Sequence, residues 1–203
     1  MIKKPLPAQV FRKLSVLYED MQTQYVNHAQ VLGLTCDQCA DNCCTSYFQH
    51  HTRVEWAYLW EGLSELPDQT RNKFTQRARD YVRLAGEALA EGRRPAIMCP
   101  LNDEGRCGMY AHRLMICRLH GVPNRLRFPS GKVVDFPGCY RSQALCANRI
   151  VFPVLDRTAM YARLMELEMQ FVGPRRVRTL PRVDLTLAEM IVQGPPQPHA
   201  SGD

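Results

Sequence analysis

The sequence predicts a mainly α protein, a helical domain with an irregular cysteine-rich metal-binding module and one short β-hairpin. Three observations predict it. Apolar residues recur at helical spacing in several separate stretches. That periodicity fades between residues 96 and 148, where five of the nine cysteines fall among glycines and prolines. Within this stretch RLRF-PSG-KVVDF alternates about a Pro-Ser-Gly turn, the pattern of a hairpin. At 203 residues, 45% hydrophobic and 23% charged, the chain has the composition of a soluble globular protein long enough to bury a core. We expect one helical domain over residues 1–192, with the cysteine module at about 33–148 and a disordered tail at 193–203.

Taken in order, Val10, Leu14, Leu17, Met21, Tyr25 and His28 lie three or four apart and predict an amphipathic helix over 9–31, entered after Pro5 and Pro7. The first cysteines follow Gly33. Trp56, Trp60 and Leu63 predict a short helix over 53–64. Pro67 suits the first turn of a longer one, with Phe74, Ala78, Val82, Ala85 and Leu89 on its buried face. Gly92 and Pro95 stop it. Helical spacing returns over 154–172 through Leu155, Met160, Leu164, Leu167 and Phe171. A basic connector, GPRRVRTLPR, leads to a short helix, DLTLAEMIV, with Asp184 as its expected cap. The final GPPQPHASGD is too poor in apolar residues to pack. No internal repeat is present.

The N-terminal MIKKPLPAQVFRKL has two lysines and no apolar run behind them, so it does not read as a secretory signal. No stretch approaches the roughly 20 apolar residues of a membrane span. The expected compartment is the cytoplasm, where thiols stay reduced and clustered cysteines bind metal more readily than each other. The formal charge of +6 treats every cysteine as neutral. Ligand thiolates would cancel part of it, so it is weak evidence for a nucleic-acid partner. Arg175, Arg176, Arg178 and Arg182 form a basic run, but 8% aromatic content and the lack of a recognition helix argue against nucleic acid. The expected partner is a protein or redox partner, with no membrane.

Four thiols occupy nine positions: Cys36 and Cys39 form a C-x2-C pair, and Cys43 and Cys44 follow. The C-x2-C spacing lets a tight turn aim two sulfurs at one metal. Adjacent side chains diverge in extended backbone, so Cys43 and Cys44 more naturally reach two metals or two corners of one cluster. A second group begins some sixty residues on, with Cys99, Cys107, Cys117 and Cys139. Cys146, beside Ala144, Leu145 and Ala147, reads instead as a small buried hydrophobe. Zinc and iron–sulfur clusters both accept all-cysteine shells. Only one C-x2-C pair exists, whereas zinc fingers bring two, so scattered single cysteines favour an iron–sulfur cluster, with zinc as the alternative. The two groups are expected to share one site, since Cys99, Cys107 and Cys117 alone fall one short of a four-thiolate shell.

In this order, Cys36-x2-Cys39-x3-Cys43-Cys44, Cys99-Pro100-Leu101 and Cys107-x2-Tyr110-x2-Arg113-x3-Cys117-Arg118 resemble the YkgJ-type family, a zinc- or iron-chelating cysteine-cluster domain. The first gap is one residue shorter and the second one longer than that family's commonest form, and Leu114 stands where it usually has proline. The resemblance implies an iron–sulfur protein, in a family whose cysteine cluster also occurs in flagellin lysine methylases. It brings no settled reaction. An iron–sulfur oxidoreductase or a protein-modification accessory are the enzyme classes in view, against a zinc-binding structural or protein-interaction module without catalysis.

Read on their own chemistry, Tyr110, Arg113 and Arg118 flank ligand candidates and are placed to donate to sulfur or offset its charge. His50 and His51 carry nitrogen donors but read as a solvated pair at a helix entry, and His112 and His120 bracket Cys117. Asp103 and Glu104 lie in a Gly-flanked turn rather than a general acid–base pair. No Walker loop, GxGxxG, GxSxG or HExxH is present.

Overall fold

The computed structural model describes residues 7–36 and 43–196, apart from the Cys43 side chain. In chain order the elements are α1 (Pro7–Leu32), α2 (Arg53–Glu65), α3 (Asp68–Ala90), β1 (Asn102–Asp103), β2 (Arg106–Cys107), α4 (Met115–Leu119), β3 (Asn124–Arg127), β4 (Val133–Phe136), α5 (Tyr140–Cys146), β5 (Leu155–Asp156), α6 (Thr158–Val172) and α7 (Leu187–Gln193). Single 3-10 turns lie at Cys43–Thr45, Tyr110–His112 and Arg176–Arg178. The fold is mainly α with a short hairpin, as the periodicity predicts. Two compact units interleave along the sequence. One holds Cys44–Leu114 and the chain from Glu168 onward, and the other holds Pro5–Cys43 and Met115–Leu167.

In the unit that begins at Pro5, α1 buries Val10, Leu14, Leu17, Tyr18, Met21, Ala29 and Leu32. This stripe packs against α4, α5 and β5. β3 and β4 form the expected hairpin, paired Asn124↔Phe136 through Arg127↔Val133. Its turn is closed by the Phe128 N–H donating to Lys132 O at 2.8 Å. β5 adds parallel to β3, with Leu155 opposite Asn124. That pairing corrects the expected helix over 154–172. Leu155 and Asp156 go into the sheet, and the Thr158 N–H donates to Asp156 Oδ1 at 2.9 Å, so α6 starts at Thr158.

In the unit that begins at Cys44, α3 buries Phe74, Ala78, Tyr81, Ala85 and Ala88. The face is rotated from the expected one, leaving Val82 half-buried and Leu89 exposed. Pro67 caps α3 rather than entering its first turn. Leu59 and Leu63 of α2 and Leu187, Met190 and Ile191 of α7 complete the core, with Leu101, Met109 and Leu114 from the cysteine-bearing segment inside it. Both tryptophan indoles donate to Met190 O, at 3.0 Å from Trp56 and 2.9 Å from Trp60. Both bonds end on a carbonyl in the last turn of α7, where backbone C=O groups lack full helical partners. Trp56 also donates to Gly194 O at 2.8 Å, and Pro196 is buried. The expected unpacked tail therefore does not start at Gly194; its remainder, 197–203, lies outside the described residues.

Two helix starts depend on residues that periodicity does not weigh. The Arg53 and Val54 N–H groups donate to the Glu168 carboxylate at 3.0 and 2.7 Å, so a residue over a hundred positions away caps α2. The Thr52 hydroxyl, at the N-cap position, donates to Glu55 Oε2 instead. Burial raises the Glu168 carboxyl above its ordinary range, although both N–H bonds oppose the rise. α7 is capped by Thr186 and not by Asp184. The Glu189 N–H donates to Thr186 Oγ1 at 3.2 Å, and the Thr186 N–H donates to Glu189 Oε2 at 2.7 Å. This reciprocal box satisfies two donors at once, and it leaves Asp184 to meet His51 Nδ1 at 2.8 Å.

Thr186→Ala is expected to cost about 1 kcal/mol, and Asp184→Ala clearly less. Urea unfolding midpoints of the two variants check the assignment.

Candidate metal centre

Cys44 lies in the 3-10 turn that opens its unit, and its C=O accepts the Cys99 N–H at 2.8 Å. That bond joins the first cysteine group to the second. Beyond Cys99 the chain reverses twice in ten residues. The Asn102 N–H donates to Cys99 O at 3.0 Å, and β1 pairs with β2 so that Asn102 faces Cys107. The turn between them uses Glu104 and Gly105, at φ 50 and 83, as two left-handed residues in a row. The Gly108 N–H then donates to Leu101 O at 2.8 Å. Cys44, Cys99 and Cys107 are half-buried, and Cys99 and Cys107 pack against the core.

Residue 108 sits tightly under α3. A Cβ at Gly108 would lie 2.6 Å from Phe74 Cζ. On the outer side Asp103 accepts from Lys73 Nζ at 2.8 Å and Arg77 Nη1 at 3.3 Å. The Lys73 hydrogen bond holds the Asp103 carboxyl below its ordinary value. Asp103 and Glu104 thus form a turn pinned to α3, the reading expected over acid–base chemistry.

Cys36, Cys117, Cys139 and Cys146 belong to the other unit. The Tyr25 hydroxyl lies 3.8 Å from the Cys36 sulfur. The same hydroxyl rests on Gly121, and Gly121 O accepts the Cys139 N–H at 3.2 Å. Gly138, at φ 80, has no room for a Cβ against the Val122–Pro123 backbone. Cys117 is half-buried in α4, four residues before Gly121. Cys146 is half-buried rather than fully enclosed, and its C=O accepts the Arg149 N–H.

The adjacent pair Cys43–Cys44 straddles the division between units, so each unit carries thiols from both sequence groups. Among the described residues no three His, Cys, Asp or Glu side chains converge as a metal site would require. Cys39 and the side chain of Cys43 lie outside the described residues. The donors fit a soft metal or an iron–sulfur cluster in kind: thiols, half-buried except for the exposed Cys36, on short segments with backbone hydrogen bonds.

The flanking residues divide as well. Tyr110 is 52% exposed, and the Arg113 guanidinium lies 5.8 Å from its ring centre, in the unit of Cys99 and Cys107. Arg118 is only 8% exposed and lies over the Tyr18 ring at 4.2 Å, in the unit of Cys36 and Cys117. His50 corrects the expectation of a solvated pair. It is 1% exposed, its backbone bridges Leu185, and its Nδ1 is buried without a hydrogen-bond partner among the described residues. Burial, with His51 next to it, lowers its pKa to about 3. His51 is exposed beside Asp184. His112 packs on the Tyr58 ring at 4.4 Å and against Gly62, where a Cβ would meet its ring at 2.4 Å. His120 is half-buried. Sequence reading missed Tyr25 and Gly121. Tyr25 entered only as a helix-face residue, and no local pattern ties it to Cys36.

Comparison with known protein families, curated proteins and solved structures finds no match. Among the described residues no helix is long and apolar enough to cross a membrane.

Two outcomes follow from these positions. On acidification His50 protonates in the unfolded chain below about pH 6.5 but resists in the folded one. Its contribution to stability is therefore present above about pH 6.5 and is lost as pH falls toward 3, by about 1.4 kcal/mol per pH unit. His50→Leu should flatten that fall, as read from urea midpoints at neutral and acidic pH. Gly108→Ala should destabilise the protein by about 1–3 kcal/mol through overpacking against Phe74, as read by thermal unfolding.

Proposed function

We propose that the protein is a cytoplasmic metal-binding cysteine-cluster protein of the YkgJ type, holding an iron–sulfur cluster of the four-iron, four-sulfide kind and acting as a redox or accessory partner of another protein. The observation that carries this reading is the backbone bond from the Cys99 N–H to the Cys44 C=O. It sets thiols from opposite ends of a 55-residue separation on neighbouring backbone, and an ordinary α-helical pair needs no such join. Half-burial of Cys99 and Cys107 against an apolar core supports it further, because a cluster with little solvent contact is protected from hydrolysis and oxidation. Such a cluster would supply one-electron chemistry. In the unit of Cys44, Cys99 and Cys107 the chain would supply the thiolates, the Arg113 charge that offsets them, and an apolar floor from Leu101, Met109 and Leu114.

Iron, zinc and acid-labile sulfide, measured on anaerobically purified protein with its absorption spectrum, test the proposal. About four irons and four sulfides per chain are expected, with a brown colour. Cys99→Ser should lose most of the metal, while Cys146→Ser should keep it. A colourless chain with stoichiometric zinc would make the site a structural one, and a chain with neither metal would overturn the proposal.

A further inference from the structure

The C-terminal end of α1 is built to return the chain on itself. Gly33 sits at φ 75, its N–H donates to Gln30 O at 3.1 Å, and the Leu34 N–H donates to Ala29 O at 2.8 Å. This left-handed closure ends the helix and reverses the backbone. Cys36 thereby comes back alongside the last two turns of α1, where the Tyr25 hydroxyl meets its sulfur at 3.8 Å. Without the reversal the seven residues from Tyr25 to Leu32 would carry the chain about 10 Å further along the axis.

The other side of that hydroxyl is fixed by Gly121. A Cβ there would lie 2.0 Å from Tyr25 Oη and 2.8 Å from Cζ. Gly121 is absent from the residues with positive φ, so its backbone does not demand glycine; the tyrosine does. The carbonyl of this same residue accepts the Cys139 N–H. One glycine thus seats the hydroxyl that touches one candidate ligand and holds the backbone of another. We infer that Tyr25 is a positioning residue for Cys36, with its hydroxyl against the sulfur and Gly121 as its seat. What Cys36 does rests on the metal-binding reading above; the contact does not. An O–H directed at a ligand sulfur orients it and withdraws electron density from it, which secures the metal and raises a cluster's reduction potential.

Tyr25→Phe keeps the ring in place and removes only the hydroxyl. Gly121→Ala drives the hydroxyl away while leaving both Tyr25 and Cys36 intact. In iron-loaded protein, Tyr25→Phe should release iron to a ferrous chelator about tenfold faster and lower the midpoint potential, and Gly121→Ala should match it. In metal-free protein, thermal unfolding of Tyr25→Phe, Cys36→Ala and the double variant should be non-additive. An additive cycle overturns the inference, and so does an unchanged release rate and potential in iron-loaded Tyr25→Phe. If Gly121→Ala fails to fold, Tyr25→Phe and the cycle decide. A wild-type chain that takes up neither iron nor zinc yet shows a non-additive cycle overturns the metal-binding reading and supports the contact.

Discussion

The bond between the Cys99 N–H and the Cys44 C=O is the constraint on which the cysteine-bearing segment of its unit depends. Around it the chain has little regular structure: two 3-10 turns, a two-residue ladder and a pair of left-handed residues. Such a segment gains few helical or sheet hydrogen bonds against the roughly 1–2 kcal/mol per residue lost on ordering backbone. It must be held from outside. α3 does this on two sides, by Phe74 under Gly108 and by Lys73 and Arg77 on Asp103. The ion pairs are exposed and contribute little, so what α3 adds to that bond comes from the Phe74 contact, beside the buried Leu101, Met109 and Leu114.

Helix identity was legible where a long apolar stripe repeats, as in α1, α2 and α3, because burial of one face is what stabilises those helices. The hairpin was legible from alternation and a turn. Legibility failed at ends and caps. The start of α6 was hidden because Leu155 and Asp156 fit a helical pattern and a strand equally well, and only the vacant edge of β3 decides between them. The cap of α7 was present in the sequence as Thr-x-x-Glu but was outweighed by an aspartate two residues earlier. The Glu168 cap of α2 has no local trace at all.

The candidate centre shows the same split. Thiol chemistry is written in residue type and spacing, so the ligand candidates could be read from the chain alone. Which thiols neighbour one another could not, because the first group divides between Cys43 and Cys44. The divergence expected of adjacent side chains was the only hint. The supports of the candidate ligands, Tyr25 on Gly121 in one unit and Phe74 on Gly108 in the other, are contacts between distant segments that depend on the absence of a side chain. A glycine in a sequence does not say whether its backbone or its neighbour requires it.

The interleaving of the two units has a consequence for synthesis. The unit opened by Pro5 is not complete until Leu167 has left the ribosome, and the other begins within that span, at Cys44, and closes after it. At about 5–20 residues per second, α1 waits on the order of ten seconds for α4, α5 and β5. During that interval the thiols that follow α1 are accessible to metal donors and oxidants alike. The order of synthesis thus leaves those thiols open to oxidation for as long as the rest of their unit takes to be made.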